Sequence, residues 1–119
     1  MIIYVPYGPP NWNNYINIER TNIFKANKLK QQEKAIINSV CKGRVYSGKY
    51  PVEIIVKAYF KDKRKDLDNV RLKGIIDGLV ACGVIKNDNL NCINKLTLIA
   101  IIDANKKGLE IEIKEREVK

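Results

Sequence analysis

The residues best suited to chemistry lie close together at positions 61–69, where Asp66 and Asp68 stand among several basic residues. If the chain is extended there, Asp66 and Asp68 point to the same side, because side chains alternate along an extended chain. Two carboxylates in one space repel each other unless a proton or a cation joins them. Mg²⁺ fits best, since it accepts one or two carboxylates and keeps several waters for a substrate phosphate. The spacing therefore suggests a metal site, although an isolated Asp-x-Asp pair is a weak signal.

Asp88 and Lys73 are two further candidates for such a site. Asp88 lies in a polar loop and is the best candidate for a third acidic ligand. A predicted helix of about 14 residues carries the chain ~21 Å away from Asp68, so that either the loop folds back or a partner subunit supplies Asp88. Lys73 stands four residues before Asp77 on this helix, where it forms either a surface ion pair or a contact to a scissile phosphate.

The 22 lysines and arginines outnumber the 13 acidic residues, which gives a formal charge of +9 and predicts a polyanionic partner. Nucleic acid is the first candidate, and an anionic membrane surface is the second. An amphipathic helix with a basic face from Lys28 to Lys34 is expected to contact phosphates. Further phosphate contacts are expected from the basic residues near the acids, which are Lys61, Lys63, Arg64, Lys65 and Lys73.

The chain contains no histidine, which excludes histidine general bases, histidine metal ligands and Ser/His triads together. Cys41, Cys82 and Cys92 lack Cys-x-x-Cys spacing, so buried thiols are expected rather than a disulfide framework or a structural zinc site. No stretch approaches the ~18–20 apolar residues of a membrane span, and the N-terminus lacks the blocks of a signal peptide. These observations predict a cytoplasmic protein, and the isoleucine-, lysine- and asparagine-rich composition is compatible with an AT-rich bacterial or phage source.

Hydrophobic periodicity predicts one small α+β domain over residues 1–119. Residues 52–60 alternate as a half-buried strand does, and residues 72–80 carry apolar side chains at helical spacing before Gly83. The predicted order is strand, helix, strand, helix, strand, strand, in a mixed sheet with helices packed against it. The predicted elements are strand 2–5, loop 7–15, helix 22–41, strand 52–60, helix 69–82, and strands 93–102 and 109–113, which form a hairpin about a turn at 103–108.

The run Asp66-Leu67-Asp68-Asn69, followed by Lys73 to Leu79 and by Gly83 to Asp88, resembles the signature of the RusA family of crossover junction endodeoxyribonucleases. That family shows a basic run, Asp-Leu-Asp-Asn, a helix bearing Lys and then Asp-x-Leu, and a Gly followed by an acidic pair. Here Asn87 takes the place of the first member of the pair, and the spacing from Asp68 to Lys73 is one residue longer. The turn at 9–11 with Asn13 and Asn14 also looks like the family's N-terminal loop, so the resemblance covers nearly the whole chain.

The resemblance implies that Asp66, Asp68 and Asp88 bind Mg²⁺, with Mn²⁺ as an alternative ion, and that Lys73 is catalytic. It further implies a RusA-like fold, a homodimer, and hydrolysis of phosphodiesters at symmetrical points of a four-way DNA junction during recombination and repair. No nucleotide cofactor and no membrane are expected. In the N-terminal loop, Asn13 and Asn14 with Trp12 and Tyr15 are expected to touch unpaired bases at the crossover, unless Trp12 instead packs on the core.

Three other functions are compatible with parts of the pattern. A non-catalytic DNA- or RNA-binding module explains the charge but gives the acids no role. A metal-dependent enzyme acting on another phosphate ester explains the acids, but the chain has no Gly-x-x-x-x-Gly-Lys loop and its pI near 9.5 suits a polymer better than a nucleotide. A metal-free structural dimer requires that the surrounding lysines pair with the acids.

Overall fold

A computed structural model describes residues 1–6, 23–61 and 70–116 of the chain. These residues form a small α+β domain in which two helices lie against a mixed four-stranded sheet, as the periodicity predicts. The predicted loop at 7–15 lies outside the described residues. The elements are β1 (Ile2–Val5), α1 (Ile23–Cys41), β2 (Val52–Phe60), α2 (Leu72–Ala81), β3 (Ile93–Ile102) and β4 (Gly108–Glu115).

The strands lie in the order β1-β4-β2-β3, with β4 antiparallel to both of its neighbours and β3 parallel to β2. The predicted hairpin of β3 and β4 is therefore wrong, because β2 lies between them. The connection at 103–107 crosses the C-terminal end of β2, where the Asp103 N–H donates to the Phe60 carbonyl at 2.8 Å. Two strand spacings are ~10 Å, which five residues can span. The polar turn reverses the chain direction, but it does not determine which strand β4 pairs with.

The hydrophobic core lies between the helices and one face of the sheet. The buried side chains of β2 alternate on the helix side, and those of β1 and β4 do the same, as half-buried strands require. The helices contribute Ile37 and Cys41 from α1 and Ile75, Ile76 and Leu79 from α2. Sheet residues buried on this face include Ile3, Val5, Ile54, Val56, Ala58, Leu109, Ile111 and Ile113.

Two glycines of α2 allow α1 to approach closely. A Cβ atom at Gly78 would lie 2.8 Å from Cβ of Ile37, closer than two carbon atoms can pack. A Cβ atom at Gly74 would overlap the Glu33 carboxylate. The helix then ends at Ala81, and Gly83 follows with a φ of 82°, in the position that the sequence predicts for a terminating glycine.

All three cysteines are free thiols, as predicted. Cys41 is buried, whereas Cys82 and Cys92 are partly buried. Burial raises the pKa of the Cys41 thiol to about 11, so this thiol stays protonated and unreactive near neutral pH. Within the described ranges, no helix has the length and apolar character needed to cross a bilayer.

Replacing Gly78 with alanine tests the close contact between the helices. Alanine favours a helix over glycine by about 1 kcal/mol, so an open position would gain stability. Because the new methyl group would collide with Ile37, we expect Gly78→Ala to lower the free energy of unfolding by about 1–3 kcal/mol in urea titrations. Ala81→Gly, at an exposed position of the same helix, reports the propensity effect alone. Unchanged or increased stability in Gly78→Ala would contradict the packing described.

Candidate metal and nucleic-acid site

The acidic segment joins the centre of the sheet to the start of α2. Asp66 and Asp68 lie outside the described residues, as do Lys63, Arg64, Lys65, Asn13 and Asn14. The structure describes both ends of the segment: Lys61 is exposed directly after β2, and Val70 is buried in the core just before α2. Residues 62–69 therefore connect two elements that are themselves firmly packed.

Lys73 is exposed in the first turn of α2. The ion pair with Asp77, which was one interpretation of their spacing, is absent from the described part of the chain, whose ion pairs are Lys57–Glu110, Arg71–Glu33, Lys95–Glu53 and Lys114–Glu53. The first turn of a helix also carries backbone N–H groups without intrahelical partners and a partial positive charge. Lys73 therefore adds a full positive charge to an end of a helix that already favours anions.

Asp88 is exposed in the loop between α2 and β3, at the other end of β2 from Lys61. Three hydrogen bonds hold this loop there: Tyr46 N–H donates to the Val84 carbonyl, Lys86 N–H to the Tyr50 hydroxyl, and Val52 N–H to the Cys92 carbonyl, at 2.8, 3.2 and 2.7 Å. The nine residues of β2 separate the two ends by roughly 26 Å. Within one chain, the loop that carries Asp88 thus does not fold back towards Lys61.

A metal site built within the described residues is not found. Residues 1–6, 23–61 and 70–116 contain no group of three histidine, cysteine, aspartate or glutamate side chains placed to hold a metal ion. Since two of the three predicted ligands lie at positions 66 and 68, the site formed by Asp66, Asp68 and Asp88 stays a prediction.

Glu33 and Arg71 form a buried ion pair where the two helices meet, a feature that the sequence interpretation missed. Arg71 is the N-cap residue of α2, and its guanidinium donates to Oε1 of Glu33. Glu33 is only 2% exposed, and its carboxylate lies against Gly74 in the first turn of α2. The pair thereby joins α1 to the end of α2 at which residues 62–69 enter.

The position of Glu33 along α1 could have revealed from the sequence that this residue is buried and paired. It lies four residues after Leu29 and four before Ile37, so it falls on the apolar face of this helix. A charged residue in such a position is buried only when it is paired, which predicts a basic partner. The helical period does not identify that partner, because Arg71 lies 38 residues away in the sequence.

Two sets of described lysines differ in their electrostatic surroundings. Lys28, Lys34, Lys61 and Lys73 are exposed, and none of them forms an ion pair with another described residue. The lysines on the sheet face away from the helices are paired instead, Lys57 with Glu110, and Lys95 and Lys114 with Glu53. Phosphate binding is therefore favoured at the first group, since its members need not give up a carboxylate partner.

Glu53 organises the charges on the sheet face away from the helices. Its carboxylate accepts a hydrogen bond from the Thr97 hydroxyl at 2.8 Å, and the ammonium groups of Lys95 and Lys114 lie 3.6 and 3.8 Å away. The Thr97 hydrogen bond is the main cause that lowers the pKa of Glu53; burial opposes it and the two lysines assist it. Glu53 is therefore ionised at neutral pH and neutralises part of this face.

No model of a known protein family matches the sequence, and no curated protein is similar to it.

The Glu33–Arg71 pair can be tested by a double-mutant cycle in urea. Arg71→Met removes a cation that contacts the buried Glu33 carboxylate, so we expect the free energy of unfolding to fall by about 3–5 kcal/mol. Glu33→Gln combined with Arg71→Met should cost less than the sum of the two single changes. Lys42→Met, which removes an exposed cation of the described chain, is the control and should change stability by only about 0.5 kcal/mol. If the double variant lost as much unfolding free energy as the two single variants together, the pairing would be contradicted.

Proposed function

We propose that this chain is a Mg²⁺-dependent endonuclease of the RusA type that cleaves four-way DNA junctions as a homodimer in the cytoplasm. The observation that supports this best is that the segment carrying Asp66 and Asp68 joins the central strand β2 to α2, whose first turn exposes Lys73. Acidic ligands and a cation for phosphate would then lie at one end of the sheet. The family motif and the net charge of +9 point the same way.

Asp66, Asp68 and Asp88 are the residues that would hold the ion. Their donor set consists of carboxylate oxygens, and the chain has no histidine, so it suits a hard cation such as Mg²⁺ or Mn²⁺ better than zinc. When bound, Mg²⁺ would lower the pKa of the attacking water and neutralise charge on the leaving oxygen. The chain itself needs no histidine base for this chemistry.

The chain's own cations would bind and orient the DNA. Lys73 would contact the scissile phosphate and stabilise the negative charge that develops on it. Lys61, Lys63, Arg64 and Lys65 would hold neighbouring phosphates, and the exposed lysines of α1 would extend this surface. Asn13 and Asn14 would contact bases exposed at the crossover.

A second copy of the chain would complete each site. Because the loop of Asp88 is held at the other end of β2 from Lys61, Asp88 would reach the acidic segment of a partner more readily than that of its own chain. A two-fold dimer would then hold two equivalent sites, which suits two symmetrical cuts in a junction that is itself roughly two-fold.

The first test is cleavage of a labelled four-way junction and a matched linear duplex, with Mg²⁺ and with EDTA. We expect symmetrical nicking of the junction alone, abolished by EDTA. Asp68→Asn should reduce the rate about 100-fold or more while binding persists, because loss of the ion removes several kcal/mol of transition-state stabilisation. Glu115→Gln, which removes an exposed carboxylate at the end of β4, is the matched control and should cleave normally.

Tight binding without cleavage in either Mg²⁺ or Mn²⁺ would favour the non-catalytic binding module. If the protein neither binds nor cleaves the junction or the duplex, neither the charge nor the family resemblance reflects the function.

Mixing two inactive variants tests whether Asp88 acts on the partner's site. Asp68→Asn and Asp88→Asn chains, unfolded and refolded together, form some mixed dimers in which one site has all its wild-type ligands if Asp88 acts between chains. We expect the mixture to regain up to roughly a quarter of wild-type nicking, on one strand of each junction. Activity no greater than that of either variant alone would place all three acids of a site in one chain.

A further inference from the structure

Strand β3 is an edge strand with unusual features. It is ten residues long, and Lys95 is its only charged residue. Among the described residues, no strand pairs with its outer edge, since β2 lies on the inner side. Natural proteins usually protect such an edge by making it short, charged or covered, because its free backbone groups can pair with another strand.

The outward backbone groups of β3 can be assigned from one hydrogen bond. The Asp103 N–H donates to the Phe60 carbonyl, and backbone groups alternate in direction along a strand, so the odd-numbered residues near this end face β2. The N–H and C=O groups that face outwards are then those of Leu96, Leu98, Ala100 and Ile102.

Apolar side chains of β3 are exposed on both faces of the sheet. Leu96 and Ile102 lie on the helix side of the sheet and are 48% and 49% exposed. The helices cover the other three strands on this side but extend only partly over β3. Ile99 is 39% exposed on the opposite face. Pairing with another strand would place side chains of that strand beside these residues on both faces and remove part of this apolar surface from water.

We propose that β3 pairs antiparallel with β3 of a second copy of this chain, about a two-fold axis at Ile99. In this register Leu96 lies opposite the partner's Ile102, and Ile99 lies opposite the partner's Ile99. Lys95 lies opposite the partner's Asp103, so the only charge of the strand meets one of opposite sign. The outward groups of Leu96 and Ile102, and those of Leu98 and Ala100, then form hydrogen-bonded pairs.

Neighbouring registers fit less well. Each side chain stays on its own face of the sheet only if the register changes by two residues. Such a change moves the two-fold axis by one residue, to Leu98 or to Ala100. An axis at Leu98 places Lys95 opposite the partner's Ile101 and Asn94 opposite the partner's Ile102. With an axis at Ala100, Lys95 no longer lies opposite the partner's Asp103. The axis at Ile99 is the one that matches all three exposed apolar side chains and both charges.

This interface goes beyond the proposed nuclease function and does not depend on it, because its features belong to the sheet edge alone. A dimer could form whether or not the chain cleaves DNA, and its test therefore contains no nucleic acid.

Cysteine cross-linking tests both the interface and its register. Opposed residues of a non-hydrogen-bonded antiparallel pair have Cα atoms ~4.5 Å apart, within the range that a disulfide bridges. We expect oxidised Ile99→Cys to run mostly as a covalent dimer on a non-reducing gel. Ile101→Cys is the matched control: its two thiols would lie four residues apart along the strands, ~13 Å, and should remain uncross-linked, as should the native cysteines.

The second measurement is the mass in solution by light scattering. We expect the unsubstituted chain at tens of micromolar to have twice the mass of one 119-residue chain. Ile99→Lys sets two ammonium groups opposite each other and should halve this mass, with an unchanged circular dichroism spectrum because Ile99 is outside the core. A single-chain mass for the unsubstituted protein would overturn the proposal, because β3 would then not pair with a second copy. A dimer that persists in Ile99→Lys, or equal cross-linking of Ile99→Cys and Ile101→Cys, would overturn it by requiring another interface.

Discussion

The pairing of β2 on both of its edges is the constraint on which the rest of the structure depends. With β3 on one side and β4 on the other, β2 becomes the centre of the sheet, and its alternating side chains supply the middle of the core. The two segments that carry the predicted acidic ligands are attached to its two ends. Residues 62–69 begin beyond its C-terminal end, whereas the loop of Asp88 is tied to its N-terminal end. The length of this one strand therefore sets the distance between the predicted parts of the site.

Local periodicity predicted the secondary structure well, because an element that is buried on one face has apolar residues at a regular spacing in its sequence. The strand at 52–60, the helix that ends before Gly83 and the α+β class are confirmed for this reason. The spacing of apolar residues does not indicate which strands pair with each other. The turn at 103–107 shows that the chain reverses, but whether β4 lies beside β3 or beyond β2 depends on which edge of β2 is available, and this is a property of the whole sheet.

The sequence predicts a chemistry for the candidate site, but it does not predict how the parts of the site are assembled. The types and spacing of Asp66, Asp68, Lys73 and Asp88 indicate metal and phosphate chemistry from the sequence alone. The Glu33–Arg71 pair depends on how closely two helices approach, which in turn depends on glycines at 74 and 78 whose role is invisible until α1 is in place. The predicted length of α2 left two alternatives for Asp88, a loop that folds back or a partner subunit that supplies it, and the rise per residue of a helix does not decide between them.

Strand β4 follows β1 and β2 in the sequence, yet it lies between them in the sheet. The backbones of Met1 and Ile113 exchange hydrogen bonds at 2.8 and 3.0 Å, so the first residue is held by one that is made more than a hundred residues later. During synthesis on the ribosome, β1 has no described strand to pair with, and β2 has one open edge, until residues 108–115 have emerged. The sheet of this domain can therefore close only after β4 has been translated, and a nascent chain stalled before that point would present the unpaired β1 and the open edge of β2 to the chaperones around it.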